Sequence, residues 1–248
     1  MSMIYCARTH IGNRRKQNED SYFIPGRQNP PCLFMVADGM GGLARGKAAS
    51  RATVETAAML LGGQEEFCSA GAIVQAVQAA NNEVRRMAVH AGVQMGSTLT
   101  LTVIDGDQLL VGNVGDSRAY LWNGGMLRCL TRDHSVVEEL ARSGQITQAE
   151  ARTHPQRNLI TRAIGIRDKV DVDIFECQWQ EGSVLLLCSD GLTGQVEDQR
   201  LAELLQTGKT LESTAEAMVD QALENGGDDN ITLVLVRHTG QEPGRTDP

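Results

Sequence analysis

The feature that most constrains the fold of this chain is an apolar segment that ends in one carboxylate followed by glycines. Cys32–Ala37 is a short, uninterrupted apolar run, which predicts a buried strand. Asp38 follows directly, and Gly39, Gly41 and Gly42 then let the backbone turn and approach whatever the carboxylate holds. Because Asp-Gly is a common turn dipeptide, this unit taken alone favours an ordinary tight turn.

The same construction recurs along the chain. Ser183–Cys188 is a second apolar run, and Asp190 and Gly191 follow it closely. Three more acidic residues stand beside Gly, Ser or Asn at predicted strand ends: Asp20, Asp116 and Asp229. Carboxylates that converge on one place cannot all stay ionised unless cations offset their charge. The candidate ligands are oxygens, with no His or Cys at ligand spacing, which favours Mg²⁺ or Mn²⁺ over Zn²⁺.

An oxygen-only site for two or more such ions is suited to hydrolysis of a phosphate ester. The ions generate hydroxide from bound water and clamp the attacking and leaving oxygens. The dense charge cluster at residues 14–20 contains Arg15, whose guanidinium fork can bind the non-bridging oxygens of a phosphate. A solvated turn is the alternative interpretation of this cluster.

The remaining pattern predicts one α+β domain over residues 1–238, with a disordered polar tail over 239–248. Apolar residues at helical spacing predict two pairs of helices, at 44–61, 70–90, 201–205 and 211–223. Alternation and turn signals predict strands between these pairs. The order of elements predicts an antiparallel core covered by helix pairs. The mixed polar segment 133–165, with short helices at 135–143 and 147–152, is typical of a lid or binding loop.

The composition excludes several classes of function. A net charge of −8 over 248 residues argues against a nucleic-acid partner, because phosphate binding requires a basic face. The six cysteines form no CxxC pair, which favours buried free thiols in a reducing cytosol. We find no signal peptide and no apolar run near the ~20 residues of a membrane span. We therefore expect a cytoplasmic protein that contacts neither membrane nor nucleic acid.

Taken together, the motifs resemble those of the metal-dependent protein phosphatase family (PPM, or PP2C-like). The resemblance spans about residues 4–236, with every motif in the family's order. The matching segments are Arg15 with Asn18-Glu19-Asp20, Asp38-Gly39-Met40-Gly41-Gly42, Gly96-Ser97-Thr98, Gly112-Asn113-Val114-Gly115-Asp116-Ser117-Arg118, Ser189-Asp190-Gly191 and Asp228-Asp229-Asn230.

The resemblance implies two stacked antiparallel β-sheets flanked by helix pairs, an αββα sandwich. It implies a protein serine/threonine phosphatase that hydrolyses phosphoserine and phosphothreonine without a covalent phosphoenzyme. Bacterial relatives of this compact size often oppose a Ser/Thr kinase. The implied partners are therefore phosphorylated proteins and a cognate kinase in bacterial signalling, and we expect a monomer.

The resemblance also implies roles for individual residues. Asp38 and Arg15 would be the catalytic pair, with Asp38 bridging two Mn²⁺ or Mg²⁺ ions and Arg15 binding the substrate phosphate. The other implied metal ligands are Asp190 and Asp229 at one ion, the Gly39 carbonyl at the other, Glu19 and Asp20 through bound waters, and Asp116 with Asp190 at a weaker third ion. Segment 133–165 would be the flap beside the site, where substrate choice is tuned.

One position departs from the family's pattern. Many eukaryotic members carry a His after Asp-Gly, proposed as the general acid, and Met40 stands there in this chain. We predict that a metal-bound water supplies the proton instead. His134 and His154 in the flap are the alternative imidazole donors, although such positions are more often simply exposed.

Two other functions compete with this interpretation. Residues 41–48 nearly match a P-loop after a strand and before a helix, but Ala48 stands where Ser or Thr should hold Mg²⁺. A pseudophosphatase would keep the fold as a binding module. Because such proteins usually lose metal carboxylates, the presence of Asp38, Asp190 and Asp229 favours an active enzyme.

Overall fold

The structure is a computed structural model and describes residues 2–26, 32–42, 44–62 and 69–240. Its first sheet consists of β1 (Met3–His10), β8 (Arg118–Asn123), β9 (Met126–Cys129), β11 (Val184–Cys188) and β12 (Ile231–His238). The strands lie in the order β1-β12-β11-β8-β9, and every pair is antiparallel. The first and last strands of the described chain are therefore neighbours.

The second sheet is also five-stranded and antiparallel, in the order β10-β7-β6-β3-β2. Its strands are β2 (Ser21–Phe23), β3 (Cys32–Ala37), β6 (Leu99–Asp105), β7 (Gln108–Val114) and β10 (Asp173–Gln178). A small two-stranded sheet pairs β4 (Gly39–Met40) with β5 (Gly96–Ser97) and lies directly after the β3 strand end.

The helices form two pairs and three short segments. Their bounds are α1 (Ala44–Leu61), α2 (Ala70–Ala91), α3 (Val136–Arg142), α4 (Gln148–Thr153), α5 (Asp190–Thr193), α6 (Asp198–Gln206) and α7 (Leu211–Glu224). Local signals set their ends: Ser69 caps α2 by accepting the Ala72 N–H, and Gly92 ends it in the left-handed conformation at φ 63°. The four long helices and both flap helices confirm the sequence predictions.

Three apolar layers hold the sandwich together. One lies between α1–α2 and the second sheet, one between α6–α7 and the first sheet, and one between the two sheets. Strand β3 shows why the central strands are apolar throughout: Leu33 and Met35 face the helices, whereas Phe34 and Val36 face the other sheet. Because both faces of such a strand are covered, its sequence lacks alternation. The predicted αββα sandwich is confirmed.

The sequence analysis missed β9 and β10, two of the four edge strands of the five-stranded sheets, and both contain polar residues. Edge strands bury fewer side chains, so their apolar pattern is weak. At the end of the predicted domain, Thr239 and Gly240 exchange backbone hydrogen bonds with Ser2. The predicted disordered tail otherwise lies outside the described residues, as does Cys68. Among the five described cysteines, Cys129 is exposed, contrary to the expectation of burial.

Gly191 offers a test of how tightly the strand ends are packed. A Cβ at this position would lie 2.0 Å from the Asn230 carbonyl oxygen, whereas a Cβ at Gly71 in α2 would meet nothing closer than 3.7 Å. We expect Gly191→Ala to destabilise the fold by about 2 kcal/mol or more, because backbone must move. Gly71→Ala, the matched control, should be neutral or stabilising by up to about 1 kcal/mol. Urea unfolding of both variants measures this, and equal stability of the two would contradict the packing described.

Candidate metal centre

The carboxylates predicted at strand ends converge at one end of the sandwich. Burial raises the pKa of Asp38 well above its ordinary value, and the negative charges of Asp20, Asp190, Asp116 and Asp229 raise it further. Each of these groups comes from a different strand end or turn, so only the packing of the two sheets brings them together. Their mutual influence confirms that the carboxylates share one region.

Asp190 begins α5 directly after β11 and lies within hydrogen-bonding reach of Asp38. Burial, and then the charge of Asp229, raise the pKa of Asp190 to about 6. Its Oδ1 atom is buried and accepts no hydrogen bond from any group in the described part of the chain. A buried carboxylate oxygen without a donor is costly, and a cation would relieve that cost.

Asp20 is the most deeply placed carboxylate, with 2% of its surface exposed. Its Oδ2 accepts a hydrogen bond from Ser189 Oγ at 2.8 Å, whereas its Oδ1 has no donor among the described residues. Burial is the main reason that its pKa rises to about 7. The orphaned oxygens of Asp20 and Asp190 are the observation that fits a cation to this site.

Glu19 is held in place by contacts with the first turns of α1 and with Asn230. Its backbone N–H donates to Asn230 Oδ1 at 2.7 Å, and its Oε1 accepts the Gly46 N–H at 3.2 Å. Ser50 Oγ donates to the Glu19 carbonyl, and Lys47 Nζ donates to the carbonyl of the next residue. Burial raises the pKa of Glu19 despite the Gly46 hydrogen bond. Both the carboxylate and the backbone of Glu19 are therefore positioned by neighbouring segments.

Gly39, in β4, lies against the first turn of α1 and the backbone of Glu19. A Cβ there would be 2.0 Å from the Gly46 carbonyl oxygen and 2.7 Å from that of Glu19, so no larger residue fits. The neighbouring Asp38 backbone is fixed by Thr98, whose Oγ1 accepts the Asp38 N–H at 2.9 Å and whose N–H donates to the Asp38 carbonyl. The glycine thus permits a close approach between backbone segments, and the predicted approach to whatever Asp38 holds stays a prediction.

Arg15 is half-exposed at the mouth of the site and pairs with Asp229, with 2.5 Å between Nη2 and Oδ2. Burial is the largest influence and would lower the pKa of Arg15, but the hydrogen bond and charge of Asp229, together with the charges of Asp38 and Asp190, outweigh it and the pKa rises. Of its neighbours in the charge cluster, Arg14 is exposed and lies 3.7 Å from Asp228. The cluster therefore combines a solvated part with one arginine that faces the carboxylates.

Asn230 is a site residue that sequence reasoning left without a role. Its Nδ2 donates to the carbonyls of Ile11 and Gln17 at 2.9 and 3.0 Å, and its Oδ1 accepts the Glu19 N–H. The side chain therefore ties the loop that carries Arg15 and Glu19 to the start of β12. Its place in the Asp-Asp-Asn motif was the available signal, because an amide can both donate and accept where a carboxylate cannot.

Asp116 occupies a separate turn on the flap side. Burial is the main cause that raises its pKa well above the ordinary value, and Asp190 and Asp133 add to it. Arg118 makes a bidentate pair with Asp133, at 2.8 Å from Nε and 2.7 Å from Nη2. This pair leaves Asp116 without a cation of its own among the described side chains, since no salt bridge to it forms there.

A cleft of about 620 Å³ opens between the flap and helices α5 and α6, with Asp116 and Asp190 in its lining. In the described residues, no three Asp, Glu, His or Cys side chains have the spacing of a complete metal-ligand shell. Mg²⁺ usually keeps several waters and takes only one or two carboxylates, so a site for it need not show such a shell.

The structure corrects the expectation that the two flap histidines are exposed. Only 5% of His134, at the base of the flap, is exposed. His154 is half-buried. The P-loop alternative is wrong, since a P-loop joins a strand and a helix of a parallel unit. Here β3 pairs antiparallel with both β2 and β6 and belongs to no parallel strand-helix-strand unit.

Among the described helices, none has the length and apolar character needed to span a membrane.

Comparisons with known proteins agree with this geometry. The protein phosphatase 2C family profile matches residues 7–234. The serine/threonine phosphatase stp of Listeria innocua is 36% identical over 96% of this chain and 97% of its own length. The crystal structure of the phosphatase Stp1 from Staphylococcus aureus superimposes with a TM-score of 0.91 at 31% identity, covering 97% of this chain and 96% of that one.

A further structure bears on the metal. The catalytic domain of the phosphatase PstP, solved in complex with two manganese ions, superimposes with a TM-score of 0.86 at 32% identity, over 96% of this chain and 99% of that one. The match covers nearly the whole length of each protein compared here. The agreement of sequence, fold and clustered carboxylates shows that this chain belongs to the protein phosphatase 2C family.

Proposed function

We propose that this protein is a metal-dependent serine/threonine phosphatase that hydrolyses phosphoserine and phosphothreonine in proteins. The observation that carries the proposal is the cluster of buried carboxylates with orphaned oxygens on Asp20 and Asp190. Arg15 beside this cluster can bind a phosphate dianion. Relatives named as serine/threonine phosphatases, with the same fold, support the same reaction.

The ligand assignment is the one that the family resemblance implies. Asp38, which is buried among the other carboxylates, would be shared by two Mn²⁺ or Mg²⁺ ions, with Asp190 and Asp229 at one and the Gly39 carbonyl at the other. Glu19 and Asp20 would act through water, and Asp116 with Asp190 would hold a weaker third ion. When bound, the ions activate water for attack and offset the charge of the phosphoryl oxygens.

Arg15 would exchange its partner on substrate binding. It pairs with Asp229 in the described structure, and a cation on Asp229 would compete for that carboxylate. The guanidinium would then be free to bind two non-bridging oxygens of the substrate phosphate, a geometry that Lys cannot reproduce. The same residue thus balances the site's charge and orients the phosphate.

The source of the leaving-group proton can be narrowed. Met40 has no proton to donate. In the buried His134, Nδ1 accepts the Gly115 N–H at 3.0 Å and Nε2 lies 3.2 Å from Asp173 Oδ2, so both ring nitrogens face protein groups. A water in the cleft is the donor that we propose.

The acidic protein, with its net charge of −8, would act on phosphorylated proteins in bacterial signalling. It would reverse the action of a cognate kinase, and we expect it to be a cytoplasmic monomer.

Asp38 gives the sharpest test of the metal site. We expect Asp38→Asn to lower kcat on a phosphothreonine peptide by at least about a hundredfold, because charge stabilisation by such ions contributes several kcal/mol. Asp228→Asn is the matched control, since Asp228 is exposed at the same end of the fold. EDTA should abolish activity, and Mn²⁺ or Mg²⁺ should restore it. Full turnover after exhaustive removal of metal, or turnover lost equally in both variants, would overturn the proposal.

The raised carboxylate pKa values predict how stability depends on pH. Asp20 and Asp190 titrate at about 7 and about 6 in the folded protein, above the ~4 of an unfolded Asp. The folded state therefore binds more protons than the unfolded state between pH 4 and 7, so metal-free protein should lose stability as pH rises through that range. Mn²⁺ should raise Tm more at pH 7 than at pH 5. Thermal unfolding with EDTA or Mn²⁺ measures both, and a pH-independent Mn²⁺ effect would count against a carboxylate site.

Arg15→Ala should raise KM for the phosphopeptide about tenfold, because a charge-assisted hydrogen bond contributes ~1.5–3 kcal/mol. Arg15→Lys should recover only part of the loss. Arg14→Ala, at an exposed neighbour that pairs with Asp228, is the control and should leave KM unchanged. Steady-state kinetics of the three variants decide the matter, and an effect of Arg14→Ala as large as that of Arg15→Ala would assign a general electrostatic role to the cluster.

A further inference from the structure

Both ends of the flap, residues 133–165, are hydrogen-bonded to segments that carry site carboxylates. At the first end, the His134 N–H donates to the Gly115 carbonyl at 2.9 Å, one residue before Asp116. At the last end, Ile164 and Ser97 exchange backbone hydrogen bonds of 2.8 and 3.1 Å. Ser97 Oγ donates in turn to the carbonyl of Asp38 at 3.0 Å. The flap is therefore anchored to the metal centre itself.

The imidazole of His134 adds a second contact at the first end. Its Nδ1 accepts the Gly115 N–H at 3.0 Å, so the ring must be neutral with its proton on Nε2. Nε2 lies 3.2 Å from Asp173 Oδ2, an ion-pair distance, but without the alignment of a hydrogen bond. Burial lowers the pKa of His134, which agrees with a neutral ring.

Asp173, on the edge strand β10, contacts both ends of the flap. Its Oδ2 faces His134, and its Oδ1 accepts a hydrogen bond from Arg162 Nη1 at 2.7 Å. The two ends also contact each other, since the Thr161 N–H donates to the His134 carbonyl at 2.7 Å. One carboxylate outside the metal centre therefore closes the base of the flap.

The Gly115 turn depends on these contacts. Gly115 has a φ of 106°, and a Cβ there would lie 2.6 Å from Thr98 Cγ2, so the residue cannot carry a side chain that would fix it. His134 satisfies its N–H and shares its carbonyl with Asn113 Nδ2, which donates at 3.3 Å. The conformation that presents Asp116 to the cleft is thus set by His134 together with Asn113.

We propose that His134 and Asp173 form a positioning pair that joins the base of the flap to the Asp116 turn. Through this pair, an ordered flap would increase the affinity of Asp116 for a cation, and a disordered flap would decrease it. The proposal rests on the assignment of Asp116 to the weaker cation site made above. Asp173 would hold the His134 ring in the tautomer that accepts from Gly115, as carboxylates behind functional imidazoles do. By linkage, a cation at Asp116 would also order the flap.

The chain contains a matched control for the structural cost of losing such a pair. His238 is 6% exposed, its Nδ1 accepts the Gly240 N–H at 3.0 Å, and its Nε2 lies 3.2 Å from Asp107. These contacts resemble those of His134, except that Nε2 of His238 is hydrogen-bonded to its carboxylate. They lie beside Trp179, in the layer between the sheets, and touch neither the flap nor Asp116. His238→Ala therefore reports the loss of a buried imidazole alone.

The first measurement is amide hydrogen exchange of the metal-free full chain. In Asp173→Asn, the amide oxygen can still accept from Arg162, but the amide N–H now faces Nε2 of His134. Nε2 then accepts, and the ring proton lies on Nδ1, which can no longer accept the Gly115 N–H. In Asp173→Asn and His134→Ala, we expect amide exchange at Gly115 and at 159–164 to be faster than in the wild type. In His134→Asn we expect it to be slower than in His134→Ala, because the amide oxygen can accept in place of Nδ1. His238→Ala should leave these amides unchanged.

The second measurement is calorimetric titration with Mn²⁺. We expect His134→Ala and Asp173→Asn to weaken the weakest site about tenfold and to leave the tight sites unchanged, whereas His238→Ala should alter none. If all three variants lose thermal stability and none shifts Mn²⁺ binding or flap exchange, the pair is merely structural and the proposal is overturned. Turnover of an aryl phosphate by the wild-type protein tests the phosphatase function separately. If His134→Ala does not fold, Asp173→Asn against His238→Ala decides the outcome.

Discussion

Mutual repulsion among buried carboxylates is the constraint on which the rest of this structure depends. The fold brings several acidic side chains into one poorly solvated region, where burial and neighbouring negative charges raise the pKa values of Asp38, Asp116 and Asp190. Such an arrangement is costly in the absence of cations, because burial and like charge both disfavour the ionised form. The oxygens of Asp20 and Asp190 that lack donors show where that cost is concentrated. The same buried carboxylates therefore offer a metal site and destabilise the metal-free protein.

The sandwich supplies the rigidity that such a site requires. Central strands such as β3 and β11 are covered on both faces, by helices on one side and by the opposite sheet on the other. Their ends cannot shift without disturbing two apolar layers at once. Asn230 and Ser189 then hold the neighbouring loops to these strand ends by hydrogen bonds. The carboxylates are thus presented from backbone that is fixed before any ion binds.

The flap has a different relation to the site. Its helices are short and exposed, yet its base is tied to Asp38 through Ser97 and to the Asp116 turn through His134. A segment anchored in this way can vary in sequence at its tip while its base keeps the same position relative to the metal centre. This offers a physical reason why substrate choice can be placed in the flap while the chemistry stays on the strand ends.

Much of the site could be predicted from the sequence because its signals are local. An apolar run followed by Asp-Gly identifies a strand end and a carboxylate, and the recurrence of that unit at Asp38 and Asp190 indicated metal chemistry. Edge strands β9 and β10 escaped prediction, since partial exposure removes the apolar pattern. The burial of His134, its contact with Asp173 and the role of Asn230 were decided only by the tertiary structure. Each depends on contacts between residues far apart in the chain, for which neither periodicity nor turn chemistry leaves a sign.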